Sequence, residues 1–149
     1  MSPSISWPSN TVTVIDDIRD AIGREVIFFV VASSYACPTC GVDPITDTAL
    51  DPYCLTCSGI GYIVILSGVP LMAHVTWGHS ELMGWYAGGQ IDHGDCRVQI
   101  KYTVANEATV DGAKYVVVDN RVMQIMRKIL RGVQPINRIL IDLIEKERE

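Results

Sequence analysis

Positive charge is scarce in this sequence and is not concentrated in any one stretch. Lysine and arginine together number 12 of the 149 residues, against 17 aspartates and glutamates, and the formal net charge is −5. Arg127, Lys128 and Arg131 are the one group of three basic residues within five positions. Because binding to nucleic-acid phosphates needs clustered basic side chains, this composition argues against ordinary nucleic-acid binding.

Long hydrophobic runs and targeting signals are also missing. The run VIFFVVA at residues 26–32 is too short to span a bilayer, and the longer run at 60–75 is interrupted by Gly61, Gly68 and Pro70. The first ten residues have neither the basic nor the apolar region of a signal peptide. We therefore expect a protein without a membrane segment that is made in a reducing cytoplasm, where metal sites are favoured over disulfides.

The residue patterns of common active sites are absent as well. The sequence contains no phosphate-binding loop, no nucleophile elbow and no paired-carboxylate signature. His74, His79 and His93 are scattered, with no nucleophile or orienting group at a recognisable spacing. The sequence thus gives no sign of an enzyme.

What is present is a large apolar fraction in a chain of single-domain length. Hydrophobic residues make up 48% of the sequence and charged residues only 19%. We expect one domain over residues 1–149. So little charge indicates either a well-filled β-rich core or an apolar surface that meets a partner.

Hydrophobic periodicity predicts a mainly β fold with one N-terminal helix. The helix is expected within 11–25, where Val14, Ile15, Ile18 and Ile22 recur at helical spacing. Strands are expected at 25–32, at 96–104 and at 113–118, and the region 61–78 predicts two strands joined by a Ser-Gly turn. Residues 84–95 are expected to form a glycine-rich loop and residues 105–112 a polar turn. The segments 121–131 and 136–146 fit a helix and a strand equally well.

Four of the five cysteines form two Cys-x-x-Cys pairs. They are Cys37 and Cys40 in CPTC, and Cys54 and Cys57 in CLTC, with thirteen residues between the pairs. Two such turns supply four thiolates for one tetrahedral Zn²⁺, and a four-sulfur shell leaves no position for water, so the zinc is expected to be structural. Iron in a rubredoxin-like site and a redox dithiol are the alternatives. The fifth, Cys96, begins a strand and is expected to be a small buried residue.

The segment 33–63 is interpreted as a zinc-knuckle finger inserted between two strands. Its residues are rich in Asp, Pro and Gly, and they cannot bury enough apolar surface to become ordered alone. A metal site supplies ordering free energy on the order of 10 kcal/mol. The finger either projects to make a contact or closes one end of the fold. If it projects, the sequence leaves open whether it faces outward or inward.

The motif CLTCSGIGY at 54–62 resembles the Cys-x-x-Cys-x-Gly-x-Gly repeat of the cysteine-rich region in DnaJ-type chaperones. That family carries several repeats, whereas this chain has one full copy and one degenerate copy, CPTCGVDP. The resemblance is confined to the finger, so chaperone function does not follow.

Most of the chain resembles the small neck proteins of tailed bacteriophages, of the head-closure or head–tail connector (stopper) type. The resemblance rests on the CPTC…DPYCLTCSGIGY insertion, the strand CRVQIKYTV, and the ending from AKYVVVDN to LIDLIEKE, which is similar to the barrel-closing strands of that family. It implies a small β-barrel and favours strands for the two ambiguous segments. It also implies a non-enzymatic virion protein, assembled into a ring, commonly of twelve copies, between the portal or adaptor and the tail. DNA would pass through this ring without specific binding.

A zinc-ribbon module that binds protein or nucleic acid is the alternative function. Such a module needs basic or aromatic residues among its knuckles. Residues 37–62 contain no Lys, Arg or His and only two aromatic residues, which favours the neck protein.

Overall fold

The computed structural model describes residues 10–78, 84–86, 89–91, 95–132 and 136–145. These residues form two helices and eight strands. The helices are α1 (Thr11–Ile22) and α2 (Val104–Gly112); the strands are β1 (Arg24–Ala36), β2 (Tyr62–Trp77), β3 (Gly84–Tyr86), β4 (Gly89–Ile91), β5 (Cys96–Lys101), β6 (Ala113–Val118), β7 (Arg121–Arg131) and β8 (Arg138–Glu145).

Six strands close into an antiparallel barrel in the order β1-β2-β5-β8-β7-β6. The mainly β class, the barrel and the N-terminal helix are therefore as expected. β3 and β4 pair with each other in a separate two-stranded sheet, so the expectation of a glycine-rich loop at 84–95 was wrong for these six residues.

The barrel core comes from alternate residues of every strand. In β5, Cys96, Val98 and Ile100 are fully buried while the residues between them are not, which is the alternation that the sequence predicted. Their partners across the ladder in β8 are also fully buried, so the inner face is continuous from strand to strand. The other buried core residues are Val26, Phe28, Ala73, Val75, Val110, Val116, Val118, Met123, Ile139, Ile141 and Leu143.

The polar turn expected at 105–112 is instead the helix α2. Thr103 caps its N-terminus, because the Thr103 hydroxyl accepts the N–H of Asn106 at 3.0 Å. Since β5 and β6 lie on opposite sides of the barrel, α2 crosses one end of it and contributes Val110 to the core. Lys128 of β7 secures the helix through salt bridges to Glu107 and Asp111, at 3.1 and 2.6 Å.

The Ser-Gly turn expected inside 61–78 does not exist. Residues Tyr62–Trp77 form one continuous strand, in which Ser67 and Gly68 pair with Val30 and Phe29 of β1. Gly68 is needed for packing here, since a Cβ atom would come within 2.9 Å of the Ile27 side chain.

Both ambiguous C-terminal segments are strands, and the helical alternative for them was wrong. β6 and β7 form a hairpin with the two-residue turn Asp119-Asn120, whose φ angles are +48° and +64°. Two consecutive positive φ angles define the type I′ turn that suits the twist of a hairpin. Asp119 also accepts hydrogen bonds from Arg24 and from Trp77 Nε1, at 2.6 and 2.9 Å, which ties the turn to β1 and β2.

The β1–β2 hairpin extends well beyond the barrel. β1 pairs with β6 only through residues 27–30, and β2 pairs with β5 only through residues 73–77, but the two strands stay paired with each other as far as Ala36 and Tyr62. We call residues 31–36 and 62–67 the arm. At about 3.4 Å per residue the arm is about 20 Å long. β1 thus continues four residues past the strand end that the sequence predicted.

Helix α1 leaves most of its apolar residues exposed. Val14, Ile18 and Ile22 are each about half exposed, and the one buried side chain of the helix is Arg19. The expected helix is therefore present, but its apolar stripe is not covered. Neither α1 nor α2 is long and apolar enough to be a membrane-spanning helix, nor is any other helix within the described part of the chain.

Candidate metal centre

The four predicted ligands lie together at the tip of the arm. We call residues 37–61 the knuckle loop. It begins directly after the last paired residue of β1 and ends directly before the first of β2, and the N–H of Cys37 donates to the carbonyl of Gly61 at 2.8 Å. The arm therefore brings the two ends of the loop together, and with them the two Cys-x-x-Cys turns.

The sulfur positions suit a single tetrahedral metal ion. The Sγ atoms of Cys37 and Cys54 are 3.9 Å apart, those of Cys40 and Cys57 are 3.5 Å apart, and all four lie within 4.8 Å of one another. Tetrahedral Zn²⁺ with Zn–S bonds of about 2.3 Å places its sulfurs about 3.8 Å apart. A disulfide would need about 2.05 Å, and all the cysteines are free thiols. The cluster could therefore hold a metal ion.

Glycines let the second turn pack closely against the middle of the loop. Gly59 has a φ angle of +76°, and a Cβ atom there would lie 2.3 Å from the carbonyl oxygen of Pro52. Gly61 has a φ angle of +89°, and a Cβ atom there would approach the backbone of Ala49 at 2.9 Å. Both conformations and both contacts exclude other residues, which explains the Cys-x-Gly-x-Gly spacing physically.

Backbone amides stabilise negative charge on the sulfurs. The N–H of Cys40, above all, lowers the pKa of the Cys37 thiol to about 6. The N–H of Cys57 likewise lowers the pKa of Cys54. The N–H of Gly61 donates to Cys57 Sγ at 3.3 Å. Amide donors directed at sulfur are what a thiolate metal site requires.

Four negative sulfurs in so small a volume repel one another unless a cation lies between them. Burial, first, and then hydrogen bonds with the neighbouring sulfurs raise the pKa of Cys40 to about 12. The same cluster thus favours ionisation at one thiol and opposes it at the next. A divalent ion removes the conflict, because it compensates the charge of several thiolates at once.

The two turns contact each other through equivalent residues. Cys37 meets Cys54 and Cys40 meets Cys57, and the Oγ1 atoms of Thr39 and Thr56 are 3.1 Å apart. In each contact the partners are seventeen residues apart, so the two turns are related by an approximate twofold arrangement. The sequence carried a signal for the threonine contact, because both motifs have the form Cys-x-Thr-Cys.

The aspartates of the knuckle loop have structural roles. Asp43 accepts the N–H of Ile45 at 2.8 Å, and Asp51 accepts the N–H of Tyr53 at 2.9 Å. Asp47 accepts the hydroxyl of Tyr62 at the base of the loop. These bonds shape the chain between the two turns, and Ala49 packs against the buried sulfurs.

The remaining candidates from the sequence lie elsewhere. Cys96 is fully buried in the barrel core, where burial raises its pKa to about 12, and it is a core residue as expected. His74 lies on β2 beside α1. His79 and His93 lie outside the described residues.

Comparison of the chain with models of known protein families gave no match, and comparison with curated proteins gave no relative.

Proposed function

We propose that this protein is a structural component of a tailed-phage neck, without enzymatic activity, that assembles with further copies of itself into a ring between the portal or adaptor and the tail. The observation that carries the proposal is the arm, a two-stranded ribbon that leaves the barrel and presents apolar side chains to solvent. The neck-protein resemblance of the sequence supplies the biological setting.

The arm has features of an assembly element. Within the described residues, neither of its strands pairs with a third strand. Val31, Tyr35, Val64 and Ile65 of the arm are each between 42% and 49% exposed. Unpaired strand edges with apolar faces tend to associate with another chain. An isolated two-stranded ribbon has marginal stability in water, so the arm needs support from its tip or from a partner.

Zinc at the four cysteines supplies the support at the tip. Cys37, Cys40, Cys54 and Cys57 would complete a closed four-sulfur shell, so the ion is structural. It fixes the two ends of the knuckle loop and, through them, the register of the arm. The loop then holds Ile45, Tyr53 and Leu55 outward, each at least 86% exposed. A rigid tip with exposed apolar side chains suits a contact with a neighbouring subunit.

The charge distribution favours this role over the zinc-ribbon alternative. The knuckle loop carries aspartates and four thiolates but no Lys, Arg or His. Such a surface repels phosphate, so nucleic acid is not its partner. For a ring around DNA, an acidic inner surface allows the duplex to slide without sticking.

Native mass spectrometry of the purified protein tests the proposal, with negative-stain electron microscopy of the same sample. We expect one zinc per chain and a closed ring whose central opening admits duplex DNA. Quantitative mass spectrometry of purified virions should then find the protein in the copy number of that ring. A zinc-free monomer, or absence from virions, would refute the neck role.

A variant without the knuckle loop tests the tip of the arm. Replacing residues 37–61 by Asn-Gly joins the directly opposed residues Ala36 and Tyr62 through a type I′ turn. We expect this variant to keep the barrel fold but to assemble less than the full protein. If it forms the same ring with the same stability, the tip of the arm makes no subunit contact.

A further inference from the structure

The cavity between α1 and the outer face of β2 and β5 is the second notable site of the molecule. Its volume is about 210 Å³. Three isoleucines of α1 form its apolar part, and three polar side chains, one from α1, one from β2 and one from β5, form the rest. The lining residues are Ile15, Ile18, Arg19, Ile22, His74 and Gln99.

Arg19 is buried in this site with part of its hydrogen-bonding capacity unused. The residue is 3% exposed, and its Nη1 donates to Asp16 at 2.7 Å. Its Nε and Nη2 atoms are buried and have no hydrogen-bond partner. Leaving donors of a buried cation unpaired is unfavourable, so such donors ordinarily serve a ligand or ordered water.

The two unpaired atoms form the edge of the guanidinium that matches a carboxylate. The N–H bonds at Nε and Nη2 are parallel and bind the two oxygens of one carboxylate. This chain uses the same edge elsewhere: Arg97 donates from Nε and Nη2 to Asp142, and so does Arg127. The side chains of Arg97 and Arg127 are 27% and 39% exposed, so Arg19 is the most buried of the three, yet its edge has no acceptor.

The charged side chains in contact around Arg19 have an excess of positive charge, which an anionic ligand would compensate. Asp16 is shared, because it bridges Arg19 and Lys101 at 2.7 and 2.9 Å. One carboxylate therefore faces two cations, and these three groups together carry a charge of +1. The other acidic residues of α1, Asp17 and Asp20, are exposed.

We propose that this cavity binds a carboxylate attached to an aliphatic group. The carboxylate lies on the Nε–Nη2 edge of Arg19, and the aliphatic part packs on Ile15, Ile18 and Ile22. The ligand reaches the edge when the half-exposed side chains of Ile18 and Ile22 change rotamer. The carboxylate belongs either to a free small acid or to an acidic side chain beside an aliphatic residue in a polypeptide. This proposal does not depend on the neck role.

Isothermal titration of the full, zinc-loaded protein with acetate, butyrate and hexanoate tests the site. We expect saturable 1:1 binding whose affinity rises about fourfold per added methylene, as burial of apolar surface predicts. Hexanol, which lacks the carboxylate, should not bind measurably. A blocked leucyl-glutamyl dipeptide amide distinguishes the sources, because tighter binding of the dipeptide than of hexanoate indicates a polypeptide ligand.

Matched variants attribute the binding to the proposed atoms. Arg19→Gln should weaken hexanoate binding at least tenfold, and Arg19→Lys should weaken it as well, because lysine keeps the charge but loses the two-point edge. Ile22→Ser should flatten the dependence of affinity on chain length, because it removes apolar surface that the aliphatic part of the ligand contacts. Circular dichroism of the Arg19 variants checks that α1 is still formed. The proposal is overturned if no carboxylate binds saturably, or if binding persists unchanged in Arg19→Gln.

Discussion

Arg97 and Asp142 form a two-point salt bridge on the outside of the barrel, yet the Asp142 side chain has no exposed surface. Nε of Arg97 lies 2.6 Å from Oδ1 and Nη2 lies 3.1 Å from Oδ2. Arg127 reaches the same carboxylate from the opposite side, at 2.8 Å. The three residues are directly opposed on β5, β8 and β7, so one carboxylate cross-links three neighbouring strands.

Asp142→Asn should destabilise the barrel by about 2–3 kcal/mol. The substitution leaves two arginines facing a neutral amide, and loss of one partner from a buried ion pair is strongly unfavourable; the partial exposure of both arginines keeps the cost at the lower end. Urea unfolding monitored by far-UV circular dichroism measures the change. Asp20→Asn on the exposed side of α1 is the control and should stay within about 0.5 kcal/mol. Equal stability of the two variants would show that the ion cluster adds nothing.

The difference in the free energy of unfolding between the wild type and Asp142→Asn should depend on pH. Burial opposes ionisation of Asp142, but the hydrogen bonds from Arg97 and Arg127 outweigh it and hold the pKa of the carboxyl below its usual value. The stabilisation is therefore complete above the unfolded-state pKa of about 3.9, and it is lost as pH falls through the lower folded-state pKa. Urea unfolding of both proteins between pH 6 and pH 2 should show the stability difference shrinking below about pH 4. Metal release in acid affects both proteins alike and therefore cancels in the comparison. A stability difference that persists unchanged to pH 2 would contradict this explanation.

The barrel strands were predictable where apolar and polar residues alternate regularly. β7 shows why this prediction fails where the alternation is interrupted. The β7–β8 register shifts between Ile125 and Arg127, which places Met126 as an extra residue. The inward residues are Met123 and Ile125 before the bulge and Leu130 after it, so strict alternation is lost. The apolar residues that fit a helix are a different set, Val122, Ile125, Met126 and Ile129, of which Val122 and Met126 are exposed. The strand is defined by its pairing with β6 and β8, and that pairing is not visible in the segment itself.

Helix α2 was missed for a different reason. Its nine residues contain one buried side chain, Val110, so there is no apolar stripe to detect. Its Thr103 cap is local, but the salt bridges that hold it come from the distant Lys128 and depend on the tertiary fold. The cysteine cluster was predictable because its spacing is local, whereas the length of the arm and the cavity at Arg19 depend on which strands meet.

Cys54→Ser should remove the metal and loosen the knuckle loop without unfolding the barrel. Among the described residues, the buried cysteines of the loop form a cluster separate from the barrel core. Hydrogen exchange should show fast amide exchange in residues 37–61 and in the outer arm, with protection kept in β5 and β8. Cys96→Ala is the matched control: it should retain the metal and lose about 1 kcal/mol of barrel stability. Global unfolding of Cys54→Ser would show that the loop is part of the barrel's cooperative unit.

Asn120→Ala should destabilise the β6–β7 hairpin by about 1 kcal/mol. Asn120 has a φ angle of +64°, in the left-handed region that asparagine tolerates better than alanine. Asn120→Gly relieves the constraint and should be neutral or slightly stabilising. Chemical denaturation ranks the three proteins, and an alanine variant as stable as the glycine variant would rule out the conformational cause.

Gly59→Ala should weaken metal binding while the barrel stays intact. The added methyl group would lie 2.3 Å from the carbonyl oxygen of Pro52, and the φ angle of +76° already disfavours alanine. The second Cys-x-x-Cys turn must therefore shift relative to the middle of the loop, which displaces its sulfurs. We expect at least a tenfold loss of zinc affinity in competition with a chromophoric chelator. Gly112→Ala is the control, because its methyl group would meet only Val30 at 3.9 Å and its φ angle lies outside the left-handed region; zinc affinity should not change. If Gly59→Ala binds zinc as tightly as the wild type, close packing of the loop does not position the sulfurs, and the arm alone must hold the two turns together.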